Sequence, residues 1–157
     1  MRKLEIQMYK YGLFALIAMG ISVTESVAEE VDFGKQIYPI LAESCLRCHA
    51  AEYVDKRDRV KKPKGGLRLD TPEYIMAGYQ DDDGNAHKVL APGDAETSSF
   101  YKLTILPEDH DDIMPTSGDP LTKEQTELIK AWINAGAKFG DFQAPVYVNP
   151  KSKEAAE

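Results

Sequence analysis

Apolar positions recur at helical spacing in two stretches of this chain. In the first, Phe33, Ile37, Ile40 and Leu41 fall on one face, with Asp32 placed to cap the helix. Pro39 lies inside that pattern and predicts a kink or a late start. In the second, Leu128, Ile129, Trp132 and Ile133 share a face. Thr122-Lys123-Glu124-Gln125 reads as a capping box before them, and Gly136 as the left-handed stop after them. Two shorter helices are predicted between these. One begins at Pro72 after an extended lead-in through Leu67 to Thr71, ends near Gly78, and carries Met76 as a structural residue. The other spans Ser98 to Leu106, with Tyr101 and Ile105 on one side. Asp81 to Asn85 and Ala91 to Asp94 are turns, and no internal repeat appears. The readable elements are therefore all helices, and the last should pack on the first.

The remaining stretches set the limits of the domain. Arg2, Lys3 and Lys10 precede an apolar run from Leu13 to Val23, and Ser26-Val27-Ala28 supplies small residues where a signal peptidase reads. Residues 1–28 are expected to be a cleaved signal peptide, because eleven apolar residues fall short of the roughly twenty that span a bilayer. Residues 29–142 would be the folded domain. Residues 143–157, with Pro145, Pro150 and a charged end, would be a flexible tail. From Ala50 to Lys64 the composition turns basic, which reads as a solvated surface loop.

The whole chain of 157 residues has a formal charge of −7, and removing residues 1–28, with three basic and two acidic side chains, makes it more negative. That balance argues against nucleic acid or an anionic membrane as partner. It favours a partner with a basic face, through encounter rate more than affinity. The three aspartates at positions 81–83 precede a glycine, but they lack the ligand spacing and distal glutamate of a calcium loop.

The run Cys45-Leu46-Arg47-Cys48-His49 carries the most specific chemistry. Two cysteines three apart lie on one side of a helical turn, where both thiols can add to haem vinyl groups. The next residue, His49, then projects at the iron as an axial ligand. A redox dithiol or half a zinc site would also use the cysteine spacing. The adjoining histidine and the lack of any further cysteine in the chain count against both. A c-type haem also suits an exported protein, since thioether bonds retain the cofactor outside the cytoplasm.

Haem iron needs a sixth ligand or an open face. Met114, His110 and His87 are the candidates downstream. Met114 is preferred, because Ile113-Met114-Pro115-Thr116-Ser117-Gly118-Asp119-Pro120 is a polar loop stiffened by two prolines, where core filling does not explain a methionine. His110, among Asp109, Asp111 and Asp112, reads as an exposed imidazole that is readily protonated, and His87 ranks third. Arg68 is a candidate partner for a haem propionate, or simply an exposed arginine.

These pieces together resemble a small class I cytochrome c, and more closely the cytochrome c domain family common in planctomycetes and their relatives. The resemblance rests on Phe33 to Leu41, Cys45 to His49, Gly65-Gly66-Leu67-Arg68-Leu69-Asp70, Ala91-Pro92-Gly93-Asp94, Met114-Pro115 through Leu121-Thr122, and Ala131 to Ala137. Thr116 stands where the family commonly has a second proline, and the large additional regions often fused to the domain are absent from this sequence. The resemblance implies an all-α fold wrapped around one haem c, held through thioethers at Cys45 and Cys48, with His49 and Met114 as axial ligands. With the expected signal peptide, the reading is a periplasmic monohaem electron carrier rather than an enzyme, working with redox partner proteins and without a membrane span after signal cleavage. The alternative is a haem sensor or peroxidase-like enzyme whose Met114 loop swings away, with His110 as the distal acid–base group. A structural module that carries haem without passing electrons is a third possibility.

Overall fold

The computed structural model describes residues 30–156. The predicted signal peptide, residues 1–28, lies outside the described residues.

The Asp32 side chain accepts a hydrogen bond from the Lys35 amide at 3.0 Å and opens a wide helical turn, Phe33–Ile37. The regular helix α1, Tyr38–Ser44, starts only beside Pro39, which has no N–H to donate to the preceding turn. Cys45 then leads into a single turn, α2 (Leu46–His49). Thr71 caps α3 (Pro72–Ala77), and a short helix α4 (Ser99–Lys102) tightens into a 3-10 turn at Leu103–Ile105. The longest helix is α5, Lys123–Asn134, and its capping box is formed: the Thr122 hydroxyl accepts from the Gln125 amide, and the Gln125 side chain accepts from the Thr122 amide.

The core joins the two ends of the domain. Phe33, Ile37 and Leu41 meet Ile129, Trp132 and Ile133, all of them buried. The Phe33 ring lies 5.1 Å from Trp132, 4.7 Å from Phe139 and 5.1 Å from Phe142, at the tilted and edge-on angles that aromatic quadrupoles favour. The Trp132 indole N–H donates to the Lys138 carbonyl at 2.8 Å, so the largest core side chain leaves no unpaired donor. Gly93 and Ala95 tie the 91–95 turn to α5, their amides donating to the Ile133 carbonyl and the Asn134 side chain. Ile105, expected on the same face as Tyr101, is 47% exposed while Tyr101 is buried, because the 3-10 turn rotates it away.

The expected all-α architecture is corrected by two small antiparallel sheets and by the shortness of most helices. Strand β1 (Tyr53–Val54) pairs with β2 (Val60–Lys61), inside the stretch that read as a loop. Strand β3 (Tyr79–Gln80) pairs with β4 (Ala86–His87). Each hairpin is closed by an aspartate that captures backbone amides: Asp55 accepts from Arg57 and Arg59, and Asp81 from Asp83 and Asn85. Gly78, between α3 and β3, has φ +77, and a Cβ there would collide with the His87 carbonyl oxygen.

The segment expected as a tail runs back over α2 and the first hairpin. Asn149 and Ser152 are buried, Ser152 bridges Asp55, and the Lys153 amide donates to the Val54 carbonyl at 3.0 Å. Among the described residues no helix is long and apolar enough to cross a membrane.

Candidate cofactor site

The single turn of α2 arranges the motif. The amides of Cys48 and His49 both donate to the Cys45 carbonyl at 3.0 Å, which folds the two thiols and the imidazole onto one turn. All three residues line the same recess, together with Met114. The recess opens to solvent: counting its open mouth it spans about 750 Å3, while the cavity proper is about 90 Å3. Its walls are mainly apolar: Leu41, Leu67, Leu69, Val89, Phe100 and Ile129 contribute to them.

His49 is held by the segment after the first hairpin. Lys64–Gly66 form a tight turn in which Gly65 and Gly66 take φ of +60 and +68. This turn directs the Leu67 carbonyl to His49 Nδ1, 3.3 Å away, and the Leu69 amide donates to the His49 carbonyl at 2.7 Å. A carbonyl only accepts, so Nδ1 carries the proton and Nε2 keeps its lone pair. That is the tautomer a metal-binding histidine needs. Burial lowers the His49 pKa, with the Leu67 and Lys64 carbonyls opposing, so the ring is neutral at pH 7. Burial also pushes the Cys45 thiol up to about 12, the reverse of the depressed value a redox-active dithiol requires.

Met114 reaches the recess on a loop fixed at two points. Its amide donates to the Leu103 carbonyl at 2.9 Å, and the Arg47 guanidinium donates from Nη2 to the Ser117 carbonyl. Pro115, Thr116 and Ser117 join Met114 in the lining. The competing histidines lie elsewhere. His110 is exposed, its Nδ1 accepting from the Asp112 amide at 3.0 Å. His87 is exposed on β4, stacked on Tyr79 and bonded through Nε2 to Asp81 at 2.8 Å.

Arg68 is also away from the recess. It binds Asp70 at 2.6 Å and lies over the Tyr74 ring. The arginine in the lining is Arg47, from within the motif itself. Its role as a tether of the Met114 loop was not legible in sequence, since its partner lies 70 positions away. The same holds for Asn149, whose Nδ2 donates to the Arg47 carbonyl across 102 positions and so braces the motif turn from the C-terminal segment.

An apolar recess with two thiols, a neutral imidazole and a thioether on its walls offers the donor set of a haem c: soft sulfur and nitrogen for iron, and thiols for thioether bonds. The protein-family model described as Planctomycete cytochrome C matches residues 45–118. Over these residues the chain is similar to the planctomycete cytochrome c family. The match runs from the first cysteine of the motif to Gly118 within the Met114 loop, and so contains all four residues named above. No curated protein and no solved structure matches the chain. A cytochrome c domain implies haem c, and the residues lining the recess fit that group.

Proposed function

We propose that this chain is an exported monohaem c-type cytochrome that carries single electrons between redox partners, with His49 and Met114 as axial ligands. The observation that carries the reading is that Cys45, Cys48, His49 and Met114, the last 65 positions beyond the motif histidine, line one apolar recess. When bound, haem supplies an iron that takes up and returns one electron.

The chain's own residues have separate tasks in this reading. Cys45 and Cys48 retain the group by thioether bonds. The Leu67 carbonyl orients His49 and sets its tautomer. Leu41, Phe100 and Ile129 keep water from the iron, which favours the less charged ferrous state. Arg47 holds the Met114 loop, so that little rearranges when the charge on iron changes. The peroxidase-like alternative is weaker: among the described residues, Arg47 is the sole ionisable side chain in the lining beyond the motif residues Cys45, Cys48 and His49, and a guanidinium is not suited to proton transfer.

The test is intact mass under denaturing conditions together with a potentiometric titration of the exported protein. The reading expects one covalently bound haem per chain, a mature N-terminus after Ala28, and a reversible one-electron titration. A chain that loses its haem on denaturation, or a haem that does not cycle, overturns it.

A further inference from the structure

A second recess lies beside the first and shares Arg47 and Cys48 with it. Six cationic side chains line it, Arg47, Arg59, Lys61, Lys62, Lys64 and Lys151, against one carboxylate, Asp55. That carboxylate is already occupied, by Arg59 at 2.8 Å and Lys61 at 3.9 Å. Lys62, Lys64 and Lys151 are exposed, and among the described residues they make no ion pair. The clustering is built by the fold. The first hairpin supplies Arg59 and Lys61, the Lys64–Gly66 turn supplies Lys64, and the C-terminal segment, anchored through Asn149 on the Arg47 carbonyl, brings in Lys151.

We propose that this basic recess is the docking site for an acidic face of a redox partner protein, placed so that electrons enter or leave beside Cys48. The inference rests on the electron-carrier reading, and it reverses the partner polarity that the net charge of −7 suggested. The reversal follows from screening. At physiological ionic strength, charges more than about 8 Å from an approaching partner contribute little, so the local excess of cations governs encounter and the overall charge does not. A protein partner is favoured over an anionic membrane for two reasons. A recess admits the projecting carboxylates of a protein loop but not a flat lipid surface, and a bilayer contacts enough of this acidic molecule to be repelled.

The experiment uses the haem-loaded, full mature protein in two measurements. The first follows oxidation of the ferrous protein by ferricyanide, a trianion, as salt is raised. One electron passes from the ferrous protein to ferricyanide, leaving ferric protein and ferrocyanide. The wild-type rate is expected to fall between about 0.15 M and 1 M salt, despite the negative net charge. In Lys62→Glu/Lys151→Glu the dependence is expected to reverse while the optical spectrum stays unchanged. The second measurement titrates a short oligo-glutamate peptide, and in parallel phosphatidylglycerol vesicles, into the protein and follows backbone amide resonances. Peptide-induced shifts confined to the hairpin, residues 61–64 and residues 149–152, and lost in the double variant, support the proposal. A wild-type rate that rises with salt, peptide shifts elsewhere, or binding to vesicles without binding to peptide overturns it. If ferricyanide does not oxidise the protein, the carrier reading fails. The peptide titration still decides whether the recess binds an acidic chain.

Discussion

Replacing Arg47 by leucine removes the guanidinium that holds the Ser117 carbonyl while keeping an aliphatic stem in place. The Met114 loop keeps its other tie, from the Met114 amide to the Leu103 carbonyl. A hydrogen bond from a charged donor contributes roughly 1.5–3 kcal/mol when buried, and the partial exposure of Arg47 places it at the low end, about 1.5 kcal/mol. If that energy favours only the closed loop, its loss raises the population of the Met114-displaced state about tenfold. Carbon monoxide reports that population, because it binds ferrous iron only where the sixth position is free. Mixed with carbon monoxide at a concentration low enough that the loop recloses faster than the gas binds, the ferrous Arg47→Leu protein should bind it about ten times faster than wild type. The ferric spectrum should remain that of the ligated protein. The Asn149 contact goes to the Arg47 backbone carbonyl, so it survives the substitution and the motif turn stays braced. An unchanged binding rate would show that the Arg47 contact does not restrain the loop, and the assigned tether would be wrong.

Three further outcomes concern the scaffold. Trp132→Phe removes the donor to the Lys138 carbonyl and leaves space between Phe33, Phe100 and Phe139. It should cost about 2–3 kcal/mol, read as a lowered urea midpoint, and an unchanged midpoint contradicts the packing described. Gly78→Ala places a Cβ against the His87 carbonyl at a backbone conformation that suits glycine, and should lower stability by roughly 2–4 kcal/mol in thermal melts. Hydrogen bonds from the Arg59 side chain and from the Arg59 and Arg57 amides hold the Asp55 carboxyl at about 2, below its ordinary 3.8. The stability it contributes is therefore complete above the unfolded value near 4 and is lost as pH falls through about 2. Urea unfolding of wild type and Asp55→Asn should show a gap that narrows over that window, and a gap independent of pH removes the ionic role of Asp55.

How much of this molecule could be read from its sequence depended on how local each signal was. The caps at Asp32 and Thr122 lie within three residues of the amides they bind, so sequence spacing alone identifies them. The apolar face of α5, Leu128 to Ile133, follows helical spacing closely enough to stand out, and Ile129, Trp132 and Ile133 are buried as expected. The motif and Met114 stood out in the sequence because their chemistry is unusual for their surroundings; they line one recess and fall in the matched segment 45–118. The hairpins were not, since strands of two residues have no alternation to detect, and the turn aspartates that close them resemble ordinary loop residues. The Arg47 and Asn149 contacts join residues 70 and 102 positions apart, and nothing local distinguishes those side chains from solvated ones. Arg68 illustrates the converse: its partner Asp70 is two residues away, a pairing that sequence spacing permits but does not select over a haem propionate.

Carbon monoxide added to the ferrous wild-type protein and to Met114→Ala, each followed by optical spectroscopy at neutral pH, tests the central claim most directly. The wild-type spectrum should be low-spin and little changed by the gas over minutes, and the Met114→Ala spectrum should convert at once to the carbon monoxide form. A wild type that binds carbon monoxide as readily as the variant contradicts Met114 ligation and with it the closed-iron electron carrier.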